Sequence, residues 1–521
     1  MQQIHEEEFA VYLAFTRARD VLYISRPKMT EDGKETELSF PVSRLIALSY
    51  PSEVREVSVP SPERNDPSFF CHPGEALSFL PGVLREKIPG KDSYWTGLVS
   101  WAANSRDFRP LLLSRLRSLS YANRSSSLPP ALAASLFKPG GRFSSSVTRL
   151  ESYRSCPYKY FLQYGLSVEE RKEGGIETPD FGLYLHAGLH QFGAALEKDR
   201  RQWRDATDED IEHLSSEIAR NLSARMKYGI LHSDGASRYT ERELNKTFRN
   251  ALVTFREWSR RSSFDTKALE KDFLVRLAAE EGDSLTLRGK IDRLDVSGNR
   301  AVIADYKTGG AEASLREIVA GLKLQLLTYF LAAAEEAGRT GNTLLPAALM
   351  YIYLSGDVRA VAQTPSGGIP KLPEKDKAAG YFLNDPQVLR ELDAHMGETD
   401  SFLAVRLKKD GTFYASPSVL TEEEFRSLLT IVRRNILSLY RKMCSGDISI
   451  RPVRFEGKTA CTYCPYRSVC RFDPSLPGEE YDYAPLPGNA FLKKNLAAIA
   501  AGADIAELAA AEREEKEDSH E

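Results

Sequence analysis

The sequence predicts an α/β fold in which a mixed central sheet is flanked by helices. Long segments with apolar residues at helical spacing predict helices at 195–262 and 420–444. Short apolar runs predict strands, and these fall at 272–279, 285–296, 300–306 and 345–354. A hydrophobic content of 42% with 27% charged residues is ordinary for a globular protein and allows a sizeable core.

The segment 289–309 predicts a β-hairpin that carries two aspartates. Two apolar-rich strands are separated by a polar turn at 297–299, and their pairing brings Asp292 and Asp305 close together. Lys307 follows Asp305 by two residues, so both side chains project from one face of the strand. Two carboxylates and an ammonium at one place suit a divalent-metal site that cuts phosphodiesters. An exposed hairpin with an incidental ion pair is the alternative.

The chemistry of phosphodiester hydrolysis explains why these residue types matter. A phosphodiester resists attack because its negative charge repels the nucleophile and its leaving alkoxide is poor. One or two Mg²⁺ or Mn²⁺ ions held by Asp oxygens neutralise that charge and lower the pKa of a bound water. Two aspartates and one further ligand are sufficient for Mg²⁺. Lys307 could orient the attacking water or offset charge in the transition state, or it could form an ordinary salt bridge.

Two histidines lie one helical turn apart in the segment 181–190, which predicts the start of an amphipathic helix. His186 and His190 would face the same side, a spacing that also fits zinc. Ala187 stands where a zinc protease of this spacing has glutamate, which argues against protease chemistry. Each histidine could equally be a core or capping side chain.

A second polar pair lies on the apolar helix predicted at 322–330. Gln325 and Tyr329 share one face of this helix. Polar groups that face inward need hydrogen-bond partners, which a catalytic cleft or a DNA backbone could supply. A purely structural hydrogen bond is the competing interpretation.

Six of these side chains, in chain order, resemble the motif set of the RecB-type branch of the PD-(D/E)XK nucleases: His186, Asp292, Asp305, Lys307, Gln325 and Tyr329. The resemblance implies a restriction-endonuclease-like core in which the histidine and both aspartates bind Mg²⁺ or Mn²⁺. It also implies that the lysine is catalytic and that the Gln/Tyr helix supports the site. Glu270 falls where the family often has an acidic residue before its first strand.

Three of the six cysteines have a CxxC spacing followed by a further cysteine, a pattern typical of metal ligands: Cys461, Cys464 and Cys470. A closed site needs four ligands, and Cys156, in the segment 150–161, is the fourth candidate. Thr148 with Glu151 predicts a capping box for the helix that carries it, and Thr421 with Glu424 predicts another for the helix at 420–444. Cys71 and Cys444 lack comparable surroundings and are expected to be ordinary thiols.

The cysteine distribution, one before the nuclease motifs and three after them, resembles the iron–sulfur staple of AddB-type nucleases. The resemblance implies a [4Fe–4S] cluster on the four thiolates, with zinc as the alternative occupant. A cross-link between Cys156 and Cys461 closes a loop of about 300 residues and is worth on the order of 5 kcal/mol. We therefore expect a structural staple and not a redox centre.

Residues 6–25 resemble the last conserved motif of superfamily 1 helicases, read along the chain as a helix followed by a strand. In that motif an arginine contacts the nucleotide γ-phosphate, and Arg17 matches it. A Walker A sequence does not accompany this motif, because Pro452 stands at the first glycine position before Gly457, Lys458 and Thr459. An autonomous ATPase is not expected, and the chain resembles the C-terminal half of a longer AddB-type protein.

The expected organisation has four parts. Residues 1–48 end a helicase-like domain, and 49–140 form a linker and a small helical connector. Residues 141–475 are the iron–sulfur nuclease domain, and 476–521 are a C-terminal helical and acidic tail. Within these parts, 50–75 is expected to be a linker and 365–380 a surface loop.

The resemblance implies a metal-dependent DNA exonuclease that works beside an AddA-type helicase–nuclease in double-strand-break end processing, cutting the strand that ends 5′. One alternative is a stand-alone exonuclease of the CRISPR-associated type, and another is a DNA-binding scaffold with a vestigial metal site. The net charge is only −3, so DNA binding must use local basic patches, whose candidates are Arg149, Arg154, Lys159, Arg433, Arg434, Arg441 and Lys442. No apolar run reaches transmembrane length, so we expect a cytoplasmic protein without a membrane partner.

Overall fold

A computed structural model of the chain describes residues 2–29, 35–48, 67–86, 90, 93–120, 123, 127–170, 175–279, 284–309, 314–354, 377–398, 400–408, 410–414, 416–476, 478–483 and 486–518. The chain divides into two units, Met1–Tyr121 and Ala122–Glu521. Among the described helices, none has both the length and the apolar character needed to cross a bilayer.

The first unit contains helices only, within the residues described. They are α1 (Gln2–Thr16), α2 (Phe40–Leu48), α3 (Pro73–Glu86), α4 (Tyr94–Asn104) and α5 (Arg109–Arg117), with 3₁₀ turns at Pro67–Phe70 and Ser118–Ser120. A small core holds α3, α4 and α5 together, and Leu77, Trp95 and Leu112 are buried in it. The predicted linker at 50–75 lies largely outside the described residues.

For residues 6–25 the sequence predicted a helix followed by a strand, and only the helix is present. Residues 21–27 have no regular secondary structure, and the apolar side chains of Val21 to Ile24 are exposed. A strand forms only where a neighbouring strand takes up its backbone hydrogen bonds. In the described part of the chain, no segment pairs with 21–27, and a single bridge joins Met29 to Glu35.

The second unit is built on a mixed sheet of seven strands. They are β1 (Phe143–Ser145), β2 (Asp265–Ala278), β3 (Ser284–Ser297), β4 (Arg300–Lys307), β5 (Leu345–Tyr353), β6 (Ala379–Leu383) and β7 (Val419–Leu420). Their order is β1-β3-β4-β5-β6-β7, with β2 paired to β3. β4 and β5 run parallel, whereas β2, β3 and β4 form an antiparallel meander. A smaller sheet has the order β10-β8-β9, from Val453–Phe455 (β8), Lys458–Thr459 (β9) and Asp482–Tyr483 (β10).

Fourteen α-helices of the described residues belong to the second unit. They are α6 (Pro130–Phe137), α7 (Val147–Ser155), α8 (Pro157–Tyr160), α9 (Thr178–Lys198), α10 (Ser215–Arg225), α11 (Gly235–Arg261), α12 (Leu315–Val319), α13 (Gln325–Arg339), α14 (Pro386–Leu392), α15 (Glu422–Cys444), α16 (Arg467–Cys470), α17 (Asn489–Lys494), α18 (Leu496–Ala501) and α19 (Ile505–Asp518). Shorter turns lie at Pro139–Gly141, Phe161–Gly165, Trp203–Asp205, Asp210–Leu214 and Met226–His232.

Helices cover both faces of the sheet, as the sequence predicted. One face packs against α7, α13 and α15 in a core that includes Ile303 and Leu349, and the other packs against α9 and α11 in a core that includes Ala304 and Met350. β5 is buried along nearly its whole length, which suits a strand that is apolar on both sides. Gly188 allows α9 to approach α11 closely, since a Cβ there would lie 2.7 Å from the Phe248 ring.

The predicted hairpin is present, with β3 and β4 joined by the turn after Ser297. Arg293 pairs with Ala304 in the antiparallel register, so Asp292 and Asp305 occupy the next paired positions. Gly298 adopts a φ of +57°, a left-handed conformation that favours glycine in such turns. The hairpin therefore brings the two aspartates together by backbone geometry alone.

The two predicted capping boxes have different outcomes. Thr421 caps α15 together with Glu424, as predicted. The box of Thr148 and Glu151 is wrong, because α7 starts at Val147 and its N-cap is Ser146, two residues before Thr148. The Glu151 carboxylate does not cap α7 and instead accepts a hydrogen bond from the backbone N–H of Leu324.

Predictions for three further regions can be compared with the structure. The predicted surface loop at 365–380 lies mostly outside the described residues, and its last two residues begin β6. Helix α6, placed in the connector by the sequence, packs in the core of the second unit through Ala133 and Phe137. The acidic C-terminal segment is helical as far as Asp518.

Candidate active site and cysteine cavity

Asp292 and Asp305 are both buried at the centre of the sheet. Asp292 is 7% exposed and Asp305 is 1% exposed. One oxygen of Asp292, Oδ2, accepts a hydrogen bond of 2.8 Å from the backbone N–H of Tyr306, which ties the two strands together at this point. Carboxylates are rarely buried to this extent without a charged partner or a metal, so the pair requires an explanation.

His186 reaches this point from helix α9. Its Nδ1 lies 3.1 Å from Glu270 Oε1 and 3.6 Å from Asp292 Oδ2, and its Nε2 lies 3.2 Å from the carbonyl oxygen of Tyr306. All of these partners are oxygens that can accept a hydrogen bond, so the surroundings favour the protonated form of the ring. His190, one turn further along, is exposed. The structure thus brings His186, and not His190, against the hairpin carboxylates.

Glu270 lies inside β2, opposite Asp292, and not before the first strand as the sequence predicted. The reason is that β2 begins at Asp265, well before the apolar run that marked the strand in the sequence. Glu270 has a φ of +46°, which is unusual for a residue with a side chain. Such backbone strain is concentrated at functional sites, where surrounding structure holds it in place.

The side chains of His186, Glu270 and Asp292 could hold a divalent metal ion. Each offers one ligand atom, and these atoms all lie within 4.8 Å of one another. Carboxylate oxygens with one imidazole suit Mg²⁺ or Mn²⁺ in a site that keeps open positions for water. Asp305 lies beside this group, and its Oδ2 is in contact with Lys307. Glu270 therefore completes a donor set that the sequence assigned to His186, Asp292 and Asp305.

The electrostatics of the group favour a cation. Burial and the neighbouring Asp305 carboxylate raise the pKa of Asp292 to about 7. Burial also raises the pKa of Asp305, although Lys307 opposes the change. Burial lowers the pKa of His186, but its hydrogen bond to Glu270 and the charge of Asp292 outweigh burial and raise it. Because a metal ion binds the ionised carboxylates and an unprotonated imidazole nitrogen, its binding would be coupled to proton release.

Lys307 is held between an acid and an amide. Its Nζ lies 2.5 Å from Asp305 Oδ2 and donates a hydrogen bond of 3.2 Å to Gln325 Oε1. Gln325 in turn donates from Nε2 to the hydroxyl of Tyr329 at 2.7 Å. The predicted pairing of Gln325 and Tyr329 on one helix face is confirmed, and their inward partner is the lysine.

Two charged residues next to the site, the partly buried Glu151 and the buried Arg293, were not singled out from the sequence for this position. Glu151 accepts a hydrogen bond of 2.6 Å from the backbone N–H of Leu324, one residue before Gln325. The guanidinium of Arg293, next to Asp292 in the chain, is 1% exposed and lies 4.9 to 5.4 Å from the rings of three aromatic residues, Trp203, Phe255 and Trp258. Both contacts join residues far apart in the chain, so local spacing gave no indication of them.

The four predicted metal-ligand cysteines line one cavity of about 420 Å³: Cys156, Cys461, Cys464 and Cys470. None of the six cysteines, all of which lie within the described residues, forms a disulfide bond, and Cys71 and Cys444 are not among the residues lining this cavity. Burial raises the pKa of Cys156 and Cys461, and raises that of Cys470 to about 11. Neighbouring thiols that share a half-enclosed cavity fit an all-cysteine metal site, whose binding would release their protons.

The basic residues proposed near these sites have mixed surroundings. Arg154 donates to the carbonyl of Ala320 at 2.7 Å and to Asp482 at 2.8 Å, so it joins α7 to two distant segments. Arg434 donates to the carbonyl of Ile499 at 2.8 Å. These two arginines stabilise contacts between elements of the unit, which leaves them little freedom to bind a phosphate.

Three further basic residues that the sequence singled out have other surroundings. Lys159 lines the cysteine cavity, and Arg149 stacks on Tyr164 with 4.7 Å between guanidinium carbon and ring centroid. Arg17 lies in the first unit, directly after α1, and its side chain is exposed. Its role in nucleotide binding stays a prediction.

Comparison with protein-family models matches residues 144–471 to the PD-(D/E)XK nuclease superfamily. The chain belongs to this superfamily. The matched region contains the hairpin, His186, helix α13 and all four cavity cysteines. The mixed sheet flanked by helices therefore carries a nuclease fold, as the sequence predicted.

The chain is also similar to proteins named as the B subunit of an ATP-dependent helicase/deoxyribonuclease. It is 32% identical over 493 residues to the protein of Desulforamulus reducens, 30% over 506 residues to that of Thermoanaerobacter sp. (strain X514), and 31% over 501 residues to that of Pelotomaculum thermopropionicum. These matches cover 91 to 92% of this chain but only 42 to 43% of the relatives. The predicted resemblance to AddB-type proteins is thus confirmed over nearly all of the chain.

Proposed function

We propose that the second unit is a divalent-metal-dependent deoxyribonuclease. The observation that carries this proposal is the placement of His186, Glu270 and Asp292 around one point, directly beside the ion pair of Asp305 and Lys307. A metal-binding group next to a buried acid and a cation is the arrangement that phosphodiester hydrolysis requires. The superfamily assignment supports the same reaction class.

In this proposal Asp292, Glu270 and His186 hold Mg²⁺ or Mn²⁺, and Asp305 is a further ligand. When bound, the ion neutralises the phosphate and lowers the pKa of a coordinated water. To act as ligands, one ring nitrogen of His186 must be unprotonated and Asp292 must be ionised. The chain's part is to hold these donors in place, and the backbone bond from Tyr306 to Asp292 fixes the orientation of one of them.

Lys307 supplies positive charge at the reacting phosphate. Its ammonium is half-buried and is aimed by Asp305 on one side and by Gln325 on the other. A cation held in this way costs little reorganisation when negative charge develops in the transition state. The sequence alone allows an ordinary salt bridge equally well, and the additional bond to Gln325 favours the catalytic role.

We further propose that the cysteine cavity binds a [4Fe–4S] cluster that joins α7 to the C-terminal cysteine loop. All four candidate ligands are thiols, a donor set that iron–sulfur clusters and zinc share. The size of the cavity, about 420 Å³, favours the bulkier cluster over a single ion. Iron, sulfide and zinc analysis of anaerobically purified protein would distinguish the two occupants.

The similarity to helicase/deoxyribonuclease proteins suggests the biological setting. We propose that the chain's nuclease acts on DNA ends at double-strand breaks, together with an AddA-type helicase–nuclease. The name of the relatives includes both helicase and deoxyribonuclease, and the chain aligns with 42 to 43% of their length.

The function is tested by cleavage of end-labelled linear DNA with the full chain, with and without Mg²⁺. Single-stranded and duplex substrates should be compared. We expect Mg²⁺-dependent cleavage that is lost in Lys307→Ala and retained in Lys271→Ala, a control lysine on β2 whose ion pair is with the exposed Glu336. Binding of DNA without cleavage under all conditions would favour a non-catalytic scaffold and contradict the proposal.

A further inference from the structure

Helix α13, which carries Gln325 and Tyr329, has no N-cap of its own. The residue at its N-cap position is Leu324, whose side chain cannot accept a hydrogen bond. The first amides of a helix lack partners within the helix and must be satisfied from elsewhere. At this buried start of a helix, the missing acceptor must come from another part of the chain.

Glu151 provides that acceptor from α7. Its Oε1 accepts the Leu324 N–H at 2.6 Å, and the backbone N–H of Gln325 also interacts with the carboxylate. The two partners are 173 residues apart in the chain. A carboxylate at a helix N-terminus is further stabilised by the helix dipole. Glu151 therefore caps α13 through tertiary structure.

The capped position lies next to the proposed catalytic lysine. Gln325 is the first residue of α13, and its side chain accepts the hydrogen bond from Lys307. A shift of the helix start would move this amide away from the ammonium. The path from Glu151 to the reacting group thus has two hydrogen bonds, one to the backbone of α13 and one from Lys307 to Gln325.

The Glu151 carboxylate also interacts electrostatically with groups at the start of α13 and with Lys307. Burial raises the pKa of the Glu151 carboxyl, and the amides of Leu324 and Gln325 together with Lys323 and Lys307 oppose that rise. The carboxylate is not one of the three side chains grouped for metal binding. Its surroundings are instead the helix start and two lysines.

We infer that Glu151 is a positioning residue of the nuclease site, which holds the start of α13 and through it the Gln325 amide against Lys307. This inference rests on the proposed nuclease function and deepens it, because it assigns a supporting residue outside the metal-binding group. Such supporting residues typically contribute about 10- to 100-fold to activity.

The experiment compares Glu151→Ala and Glu151→Gln with Glu424→Gln in the full chain. Glu424 is a matched control, since its carboxylate accepts the backbone N–H of Thr421 at 2.7 Å at the start of α15. We expect Glu151→Ala to lower kcat for DNA cleavage by about 10- to 100-fold, with unchanged KM and Mg²⁺ affinity. Glu151→Gln keeps an acceptor without the charge, so its loss should be smaller, and Glu424→Gln should cleave at the wild-type rate.

Two further measurements separate positioning from general stability. In a Gln325→Ala background, Glu151→Ala should cause little additional loss, because both changes interrupt the same path. Hydrogen exchange at the amides of Leu324 and Gln325 should be faster in both Glu151 variants than in the wild type. If Glu151→Ala does not fold, the Gln variant decides the question.

The outcomes also distinguish this inference from the function on which it rests. If the wild-type chain cleaves DNA and the Glu151 variants have an unchanged kcat, the inference alone is overturned. The same holds if the losses in kcat caused by Glu151→Ala and Gln325→Ala multiply in the double variant. A wild-type chain that does not cleave DNA overturns the proposed function, and exchange at Leu324 and Gln325 then decides whether Glu151 caps the helix. Unchanged exchange overturns the capping role in either case.

Discussion

Lys307 Nζ lies 2.5 Å from Asp305 Oδ2, two residues earlier on the same strand. The alternation of side chains along β4 places both on one face, and the antiparallel register with β3 brings Asp292 alongside. A charged pair of this kind is costly to bury unless each partner has further interactions. Lys307 obtains one from Gln325, and Asp305 is positioned to obtain one from a bound cation.

Removing either partner of this pair should stop cleavage without unfolding the chain. We expect Asp305→Ala and Lys307→Ala each to lower the rate of Mg²⁺-dependent DNA cleavage by about 100-fold or more, because each removes charge at the reacting centre. The rate is measured on end-labelled DNA, and circular dichroism and metal content of the cysteine site verify the fold. Full activity in either variant would remove that residue from the active site.

Metal binding should become tighter as the pH rises. Asp292, with a pKa of about 7, is largely protonated at lower pH and must ionise to bind a cation. His186 and Asp305, whose pKa values are also raised, must lose protons as well. At a pH below the pKa values of these groups, Mg²⁺ affinity should rise by up to about tenfold per pH unit for each proton released.

Titration calorimetry in buffers of different ionisation enthalpy measures both the affinity and the proton release. Asp292→Asn should weaken binding and reduce the number of protons released. A wild-type affinity that is independent of pH between about 5 and 8 would show that these buried acids do not titrate with metal binding.

The cysteine cavity should contribute to stability through the metal that we propose it holds. We expect Cys464→Ala to release the metal and to lower the melting temperature, since the cross-link between α7 and the C-terminal loop is worth on the order of 5 kcal/mol. Cys444→Ala is the control, because Cys444 does not line the cavity and its replacement should leave the metal bound. Unchanged melting and unchanged iron content in Cys464→Ala would contradict the staple.

The buried ion pair beside the site should be sensitive to removal of one partner. Arg293 Nε lies 2.9 Å from both oxygens of Asp295, and both residues are almost fully buried. Asp295→Asn leaves the guanidinium without its counter-charge and should cost about 3–5 kcal/mol of unfolding free energy.

Replacement of both partners by apolar residues, Arg293→Met with Asp295→Leu, should cost less than the single change. Urea denaturation of the three proteins measures the difference. A single variant as stable as the wild type would show that the three surrounding aromatic rings and the hydrogen bond to Thr266 are sufficient for the arginine.

The sequence predicted those parts of the site that depend on local geometry. A turn between two apolar-rich strands placed Asp292 opposite Asp305, and the strand period placed Lys307 beside Asp305. The four cysteines, which the sequence grouped because their spacing and surroundings resemble a known pattern, line one cavity. These relationships need only a register or a motif.

The remaining parts depend on tertiary structure. Glu270 joins the proposed metal-binding group, and it has a strained backbone conformation within a long strand, which hydrophobic patterning does not show. Glu151 matched a local capping pattern, but its partner lies 173 residues away. The strand predicted after α1 does not form, because a strand needs a neighbour to pair with it and the local sequence does not show whether one is present.

The most direct test of the nuclease assignment is a Mg²⁺ titration of DNA cleavage by metal-depleted wild-type chain and by Asp292→Asn at one pH. The structure predicts that cleavage by the wild type saturates with Mg²⁺ and that the variant remains inactive at concentrations that saturate the wild type. Equal cleavage by the two proteins, or wild-type cleavage that persists in chelator, would contradict a metal site at His186, Glu270 and Asp292.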